Sequence, residues 1–267
     1  MNRLNPSDPA VLLCARACEL SYKEFGGREF NAGVAALGFK DYATFEKAGI
    51  EVYCMSDSKC IVVCFRGTDS KPDWLANAMT TKTAMHNPEW RVHTGFLRTV
   101  MVIEQEVRGY CLERLIGSDR ALYVTGHSQG AANAILFSMR WFKDRVSGVV
   151  TFGSPRVGNE AFARAYNAVH AKHSLRFVNN NDSVCRVPWK CLGYSHVFRQ
   201  QRFDSRGRLH SDYYPSWCWK LWDNIAGRII NLFKLKFGDG ITDHSITDYI
   251  KLVGRVYCAP PAPEKTV

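Results

Sequence analysis

Apolar positions recur along this chain with two periods. Across residues 12–25 they return every three or four places, as one face of a helix does, with Pro9 ahead and Gly26-Gly27 behind. The same spacing marks residues 100–116, closed by Gly117, and residues 131–142. Between these lie short β-prone runs. Residues 50–54 and 60–65, joined by the polar turn Ser56-Asp57-Ser58-Lys59, predict a hairpin, and 121–125, 146–152 and 175–178 predict further strands. Strands alternating with helices build a mostly parallel central sheet with helices on both faces, an α/β fold. Residues 1–258 are expected to form one domain and the proline-rich residues 259–267 a disordered tail. No apolar run reaches the roughly 18 residues that a membrane-spanning helix needs.

Charge and cysteine content narrow the picture. A formal charge of +10 implies attraction to anionic surfaces. The lysines and arginines are scattered and no nucleic-acid motif accompanies them, so no nucleic-acid partner is expected; an anionic membrane or lipid-droplet surface fits the charge better. None of the ten cysteines has a metal-binding spacing. Cys14 and Cys18 fall one helical turn apart, and Cys60 and Cys64 share a strand face, as small core residues do. Cys54 and Cys60 flank a turn, where pairing across the hairpin is conceivable; a reducing compartment would keep them as thiols. Residues 1–10 are polar, and the apolar stretch 11–15 is cut by Arg16, too short for a signal-peptide core. A cytoplasmic location, peripheral at a membrane surface, is the expectation, with leaderless secretion as the alternative.

Gly126-His127-Ser128-Gln129-Gly130 is the single G-x-S-x-G of the chain. A buried β-run enters it and a helix of small residues leaves it. That is the setting of a strand–turn–helix elbow, which holds a serine in strained geometry with its hydroxyl exposed. The glycines are needed because side chains there would collide with the neighbouring strand and helix. A serine hydroxyl needs an adjacent base, itself oriented by a carboxylate. In this type of fold the acid and then the histidine follow the serine. His170, His173, His196, His210 and His244 lie downstream of Ser128. His170 and His173 precede every plausible acid and read as surface residues. His244, on a loop before a terminal helix, is best placed; His196 and His210 remain rivals on order alone. For the acid, Asp182 follows the strand 175–178 and sits at the sheet edge where active sites gather. Asp204, Asp212 and Asp223 are alternatives.

With these residues identified, the chain resembles the fungal-type triacylglycerol lipases, or class 3 lipases, of the α/β-hydrolase fold. The likeness runs from about Ile61 to Val253. It is carried by Phe65-Arg66-Gly67-Thr68-Asp69-Ser70, Asp73-Trp74-Leu75-Ala76-Asn77, Val92-His93-Thr94-Gly95-Phe96 and the serine motif itself. It continues through Thr151-Phe152-Gly153-Ser154-Pro155-Arg156-Val157-Gly158-Asn159, Asn181-Asp182-Ser183-Val184, Gly193-Tyr194-Ser195-His196 and Asp243-His244-Ser245. The resemblance implies Ser128 as nucleophile, Asp182 as orienting acid and His244 as general base. It makes His196 and His93 structural, and puts the backbone N–H groups of Thr68 and Gln129 in an oxyanion hole, with the Thr68 hydroxyl as a third donor. Gln129 replaces the leucine usual in fungal members, where only its backbone is required. Cys185 and Arg186 stand where family members commonly carry a proline. The resemblance also implies a helical lid at about 71–79, with Trp74, Leu75 and Met79 as its apolar face.

Residues 217–237 carry Trp222, Ile225, Ile229 and Phe233 at helical spacing opposite Lys220, Asn224, Arg228, Asn231 and Lys234. A basic amphipathic helix of this kind packs on the core or docks on an anionic membrane. The resulting expectation is a carboxylic ester hydrolase acting on lipid acyl esters with no cofactor and no metal. Phospholipase A1 or small-ester carboxylesterase activity is the near alternative. A non-catalytic lipid-surface binder is the alternative of another class, and thioester or amide cleavage a third.

Overall fold

The computed structural model describes residues 3–68, 81–197, 199–211 and 243–258. The chain opens with α1 (Pro9–Leu20) and α2 (Arg28–Ala36), then three strands, β1 (Asp41–Lys47), β2 (Ile50–Ser56) and β3 (Cys60–Phe65). These three form an antiparallel meander. A separate two-stranded ribbon, β4 (Lys82–Met85) and β5 (Asn87–His93), leads into the long helix α3 (Thr94–Leu115). Four further elements alternate: β6 (Ala121–His127), α4 (Gln129–Trp141), β7 (Val146–Phe152) and α5 (Glu160–His170). Then come β8 (Ser174–Asn179), β9 (Gln200–Phe203), β10 (Leu209–His210) and α6 (Ile246–Cys258).

The main sheet has eight strands in the order β1-β2-β3-β6-β7-β8-β9-β10. From β3 to β9 every neighbouring pair is parallel. Side chains of β3 alternate between two cores: Ile61, Val63 and Phe65 face α3 and α4, while Val62 and Cys64 face α1 and α6. Period-two alternation thus operates inside a continuous apolar run, because both faces of this strand are covered. Burying each such side chain contributes about 1.5–3 kcal/mol. Cys14, Ala15, Ala17 and Cys18 line the buried face of α1, and their small size lets the helix lie close to the sheet. Cys18 Sγ reaches Thr125 Oγ1 of β6 at 3.3 Å.

Three expectations change. The first helix stops at Leu20, where Ser21 caps it and its hydroxyl donates to the Cys18 carbonyl at 2.7 Å. Phe25 extends the apolar period because it packs on Phe30 and Tyr53, at 5.0 and 5.7 Å between ring centroids, outside any helix. Cys54 and Cys60 cannot pair: Cys54 lies opposite Val63 and faces the α3 side, whereas Cys60 packs on the α1 side. His170 is fully buried at the end of α5 against the Tyr166 ring, 4.8 Å away, so it is no surface residue. Burial, and next the charge on His173, hold its pKa down to about 4.

Candidate active site

Ser128 sits between the end of β6 and the start of α4 with φ 59° and ψ −128°. A non-glycine residue held there costs of order 1–3 kcal/mol, which the surrounding packing must offset. That packing leaves no room for side chains. A Cβ on Gly126 would enter the backbone of Gly130 and Ala131, and one on Gly130 would enter the carbonyl of Phe65. The Ser128 N–H donates to the Phe152 carbonyl at 3.0 Å, which fastens the turn to β7. The Ser128 side chain does not cap α4, although Ser128 occupies the cap position. The backbone N–H of Gln129, first residue of α4, has no intrahelical acceptor by helix geometry and points where an anion would be stabilised.

Asp182 and His244 come from loops at the same sheet edge. After β8 the chain turns through Asn180, at φ 37°, and reaches Asp182, which is 1% exposed. His244 lies just ahead of α6 and is equally buried. Its Nδ1 donates to Asp182 Oδ2 at 2.8 Å. With the proton on Nδ1, the neutral ring keeps a lone pair on Nε2. That nitrogen is buried and has no hydrogen-bond partner among the described residues. The Tyr249 phenol donates to the same Oδ2 at 2.7 Å and accepts the Asn179 N–H at 2.9 Å. Burial, and next the Asp182 charge, push this phenol well above its ordinary pKa and keep it a donor. Asp182 Oδ1 accepts the Val184 N–H at 2.9 Å.

A second set of bonds fixes the His244 loop. The His244 ring lies 4.5 Å from the ring of His127, the residue before Ser128. His127 Nε2–H donates to the His244 carbonyl at 2.8 Å, so its Nδ1 accepts from the Tyr22 hydroxyl, also at 2.8 Å. Asn179 Nδ2 donates to the Asp243 carbonyl at 2.9 Å, and Asn180 Nδ2 to Asp243 Oδ2 at 3.1 Å. Gly153, at φ +60°, makes the close approach possible: a Cβ there would lie 2.7 Å from His244 Cε1 and 2.9 Å from Asp182 Oδ2. In the sequence no motif marks Tyr22 or Tyr249, and His127 stands at a variable position of the G-x-S-x-G motif.

Thr68 follows β3 and lies beside the elbow, since a Cβ on its neighbour Gly67 would stand 3.2 Å from Ser128 Cβ. Its hydroxyl donates to Gln129 Oε1 at 2.6 Å. The side chain of Gln129 therefore has a partner, beyond the backbone role expected of it.

The rival residues are occupied elsewhere. His196 is half-buried, with Nε2–H donating to the Cys185 carbonyl at 2.7 Å; desolvation of its ring and then the charges of Arg176 and Arg156 hold its pKa well below the ordinary value. His93 stacks on Phe96 at 4.1 Å and accepts that residue's N–H. His210 and Arg208 both bind Asp204 at the β9–β10 hairpin. Asp212 and Asp223, the lid residues Trp74, Leu75 and Met79, the amphipathic segment 217–237 and the tail 259–267 lie outside the described residues. Among the described residues no group of three or more His, Cys, Asp or Glu side chains could hold a metal ion, and no helix is long and apolar enough to cross a membrane.

A strained serine between a central parallel strand and the helix after it, on a sheet of this order, defines the α/β-hydrolase class. A solved triacylglycerol lipase with a serine protease triad at its catalytic centre superposes with a TM-score of 0.71 at 21% identity, covering 88% of this chain and 91% of that one. The family model described as Lipase (class 3) matches residues 62–191, just under half of the chain, and over that stretch the chain is similar to that family. A secreted mono- and diacylglycerol lipase of Fusarium solani is 32% identical over 190 residues, 69% of this chain and 56% of the relative. A chloroplastic/mitochondrial phospholipase A1 of Oryza sativa subsp. indica is 30% identical over 179 residues, 51% of this chain and 41% of that protein. The chain spans about half the length of the curated relatives it matches.

Proposed function

We propose that the chain hydrolyses acyl esters of lipids, with Ser128 as nucleophile, His244 as general base and Asp182 as the orienting acid. The observation that carries this is the His244–Asp182 bond of 2.8 Å, which leaves a buried Nε2, without a partner among the described residues, on the ring that lies against the elbow. As Ser128 Oγ attacks the ester carbonyl, its proton passes to Nε2. Asp182 stabilises the resulting imidazolium through Nδ1–H. The carbonyl oxygen, now negative, lies between the backbone N–H groups of Thr68 and Gln129. Collapse expels the alcohol, which takes the proton from Nε2, and water then releases the acid from the acyl-enzyme by the same route. No cofactor enters this sequence of steps.

The test compares the protein with its Ser128→Ala form on p-nitrophenyl butyrate, emulsified mono-, di- and triacylglycerol, and phosphatidylcholine vesicles, together with labelling by a fluorophosphonate. Turnover and an adduct that both disappear with Ser128 support the reading. An unlabelled Ser128 that still binds lipid surfaces would favour the non-catalytic binder.

Phospholipid is the second substrate reading, favoured by the +10 charge, which draws the protein to anionic membranes or lipid droplets. Vesicle turnover that falls steeply with added salt supports it. We place the protein in the cytoplasm at such a surface; the nine described cysteines are all free thiols, as a reducing compartment maintains. Cell fractionation with the activity outside the cytosolic and membrane-associated pools would refute that placement.

A further inference from the structure

Thr68 and Gln129 are separated by 61 residues, yet their side chains meet, the hydroxyl donating to the amide oxygen at 2.6 Å. A hydroxyl carries one proton. While this bond stands, Thr68 has no side-chain proton for an oxyanion. The bond crosses a seam where two backbones approach as closely as glycine allows. A Cβ on Gly67 would strike the His127 carbonyl, and one on Gly130 would strike the Phe65 carbonyl. An oxyanion hole asks of residue 129 only a backbone N–H, which any residue but proline supplies. The amide carbonyl at this position has another use.

We infer that the Gln129 side chain is a positioning residue. It ties Thr68 to the head of α4 and so sets the spacing of the two backbone N–H groups that receive the oxyanion. This rests on the ester-hydrolase reading above. Two donors serve an oxyanion only when both lie within about 2.7–3.1 Å of it. Residue 68 stands just past the exit of β3, and the bond to Gln129 is its side-chain link to α4. Gln129 supplies that hold, and the Thr68 hydroxyl acts as its tether and makes no bond to substrate.

The test uses four variants of the full chain: T68V, T68S, Q129L and the double variant T68V/Q129L. Steady-state kinetics on p-nitrophenyl butyrate separate kcat from KM, and the rate of fluorophosphonate addition to Ser128 reports the same geometry independently. T68V and Q129L are each expected to lower kcat roughly tenfold to a hundredfold, as a displacement of about 1 Å does, and to leave KM nearly unchanged. The double variant falls no further than the worse single one, since both remove one bond. T68S, which keeps the hydroxyl, recovers most of the loss. Additive losses, or a Q129L protein with the parent kcat beside a crippled T68V, overturn the inference, because the hydroxyl would then be serving the oxyanion itself. Should the parent protein neither turn over esters nor take the probe, the hydrolase reading fails. The same proteins then judge the tether by their melting temperatures, where non-additive losses uphold it and additive ones overturn it.

Discussion

Tyr249 and His244 bind the same carboxylate oxygen of Asp182, at 2.7 and 2.8 Å. The phenol also receives the Asn179 N–H at the end of β8, so one side chain joins the strand before Asp182 to the helix after His244. Tyr249→Phe keeps the ring and removes both bonds. It leaves a buried N–H without its acceptor, at a cost of about 1–3 kcal/mol. Urea unfolding should show that loss, with a several-fold lower kcat; unchanged stability would mean the bond contributes nothing.

Asp182→Asn tests the polarity of the pair. Oδ2 accepts from both His244 and Tyr249, and Oδ1 accepts the Val184 N–H. An amide nitrogen at either position would face a donor. With nitrogen toward His244, the ring turns to the tautomer whose Nε2 carries the proton and cannot act as base. On the proposed mechanism a loss of about 10⁴ in kcat is expected, as in a known serine triad, with the melting temperature only modestly lowered. A variant within tenfold of the parent would remove Asp182 from its role.

Gly130→Ala adds one carbon where the Phe65 carbonyl already stands. Backbone cannot yield as a flexible side chain does, so the elbow must open or the chain must unfold. The expected outcome is loss of the fluorophosphonate adduct together with a melting temperature lower by more than a surface Gly→Ala change would give. Circular dichroism and probe labelling on one sample check both halves.

Acid lability should trace in part to His170. Its pKa is about 4 in the fold against 6.5 ordinarily. Above about pH 6.5 the ring is neutral in both states and the contribution is whole. Between 6.5 and 4 the unfolded chain takes up a proton that the folded chain refuses, so stability falls with falling pH, by up to about 3 kcal/mol. His170→Phe should flatten the dependence of melting temperature on pH across that window, with His196 supplying the remaining slope. An unaltered slope would contradict the assignment.

Legibility in the sequence followed the physics of each signal. The run 146–152 coincides with β7 because a doubly covered parallel strand is mostly apolar, here through the buried Val146, Val149, Val150 and Phe152. The elbow around Ser128 is legible because the period changes from strand to helix across its motif, whereas chain order alone leaves His244 beside His196 and His210. β1 escaped notice since it is an edge strand with an exposed, mixed face, and α2 since only Phe30 and Val34 of its nine residues are buried. Tyr22 and Tyr249 were illegible for another reason. They meet His127 and Asp182 across 105 and 67 residues, and that proximity is created by the topology rather than by local spacing.

The same topology limits how the centre can be divided. Residues 62–191, the stretch recognised as the family's own, contain Ser128 and Asp182 but exclude Tyr22, His244 and Tyr249. The chemistry is therefore knotted from early and late portions of the polypeptide across its middle. On the proposed mechanism, an excised middle would keep Ser128 and Asp182 and lose His244, the group that activates the serine.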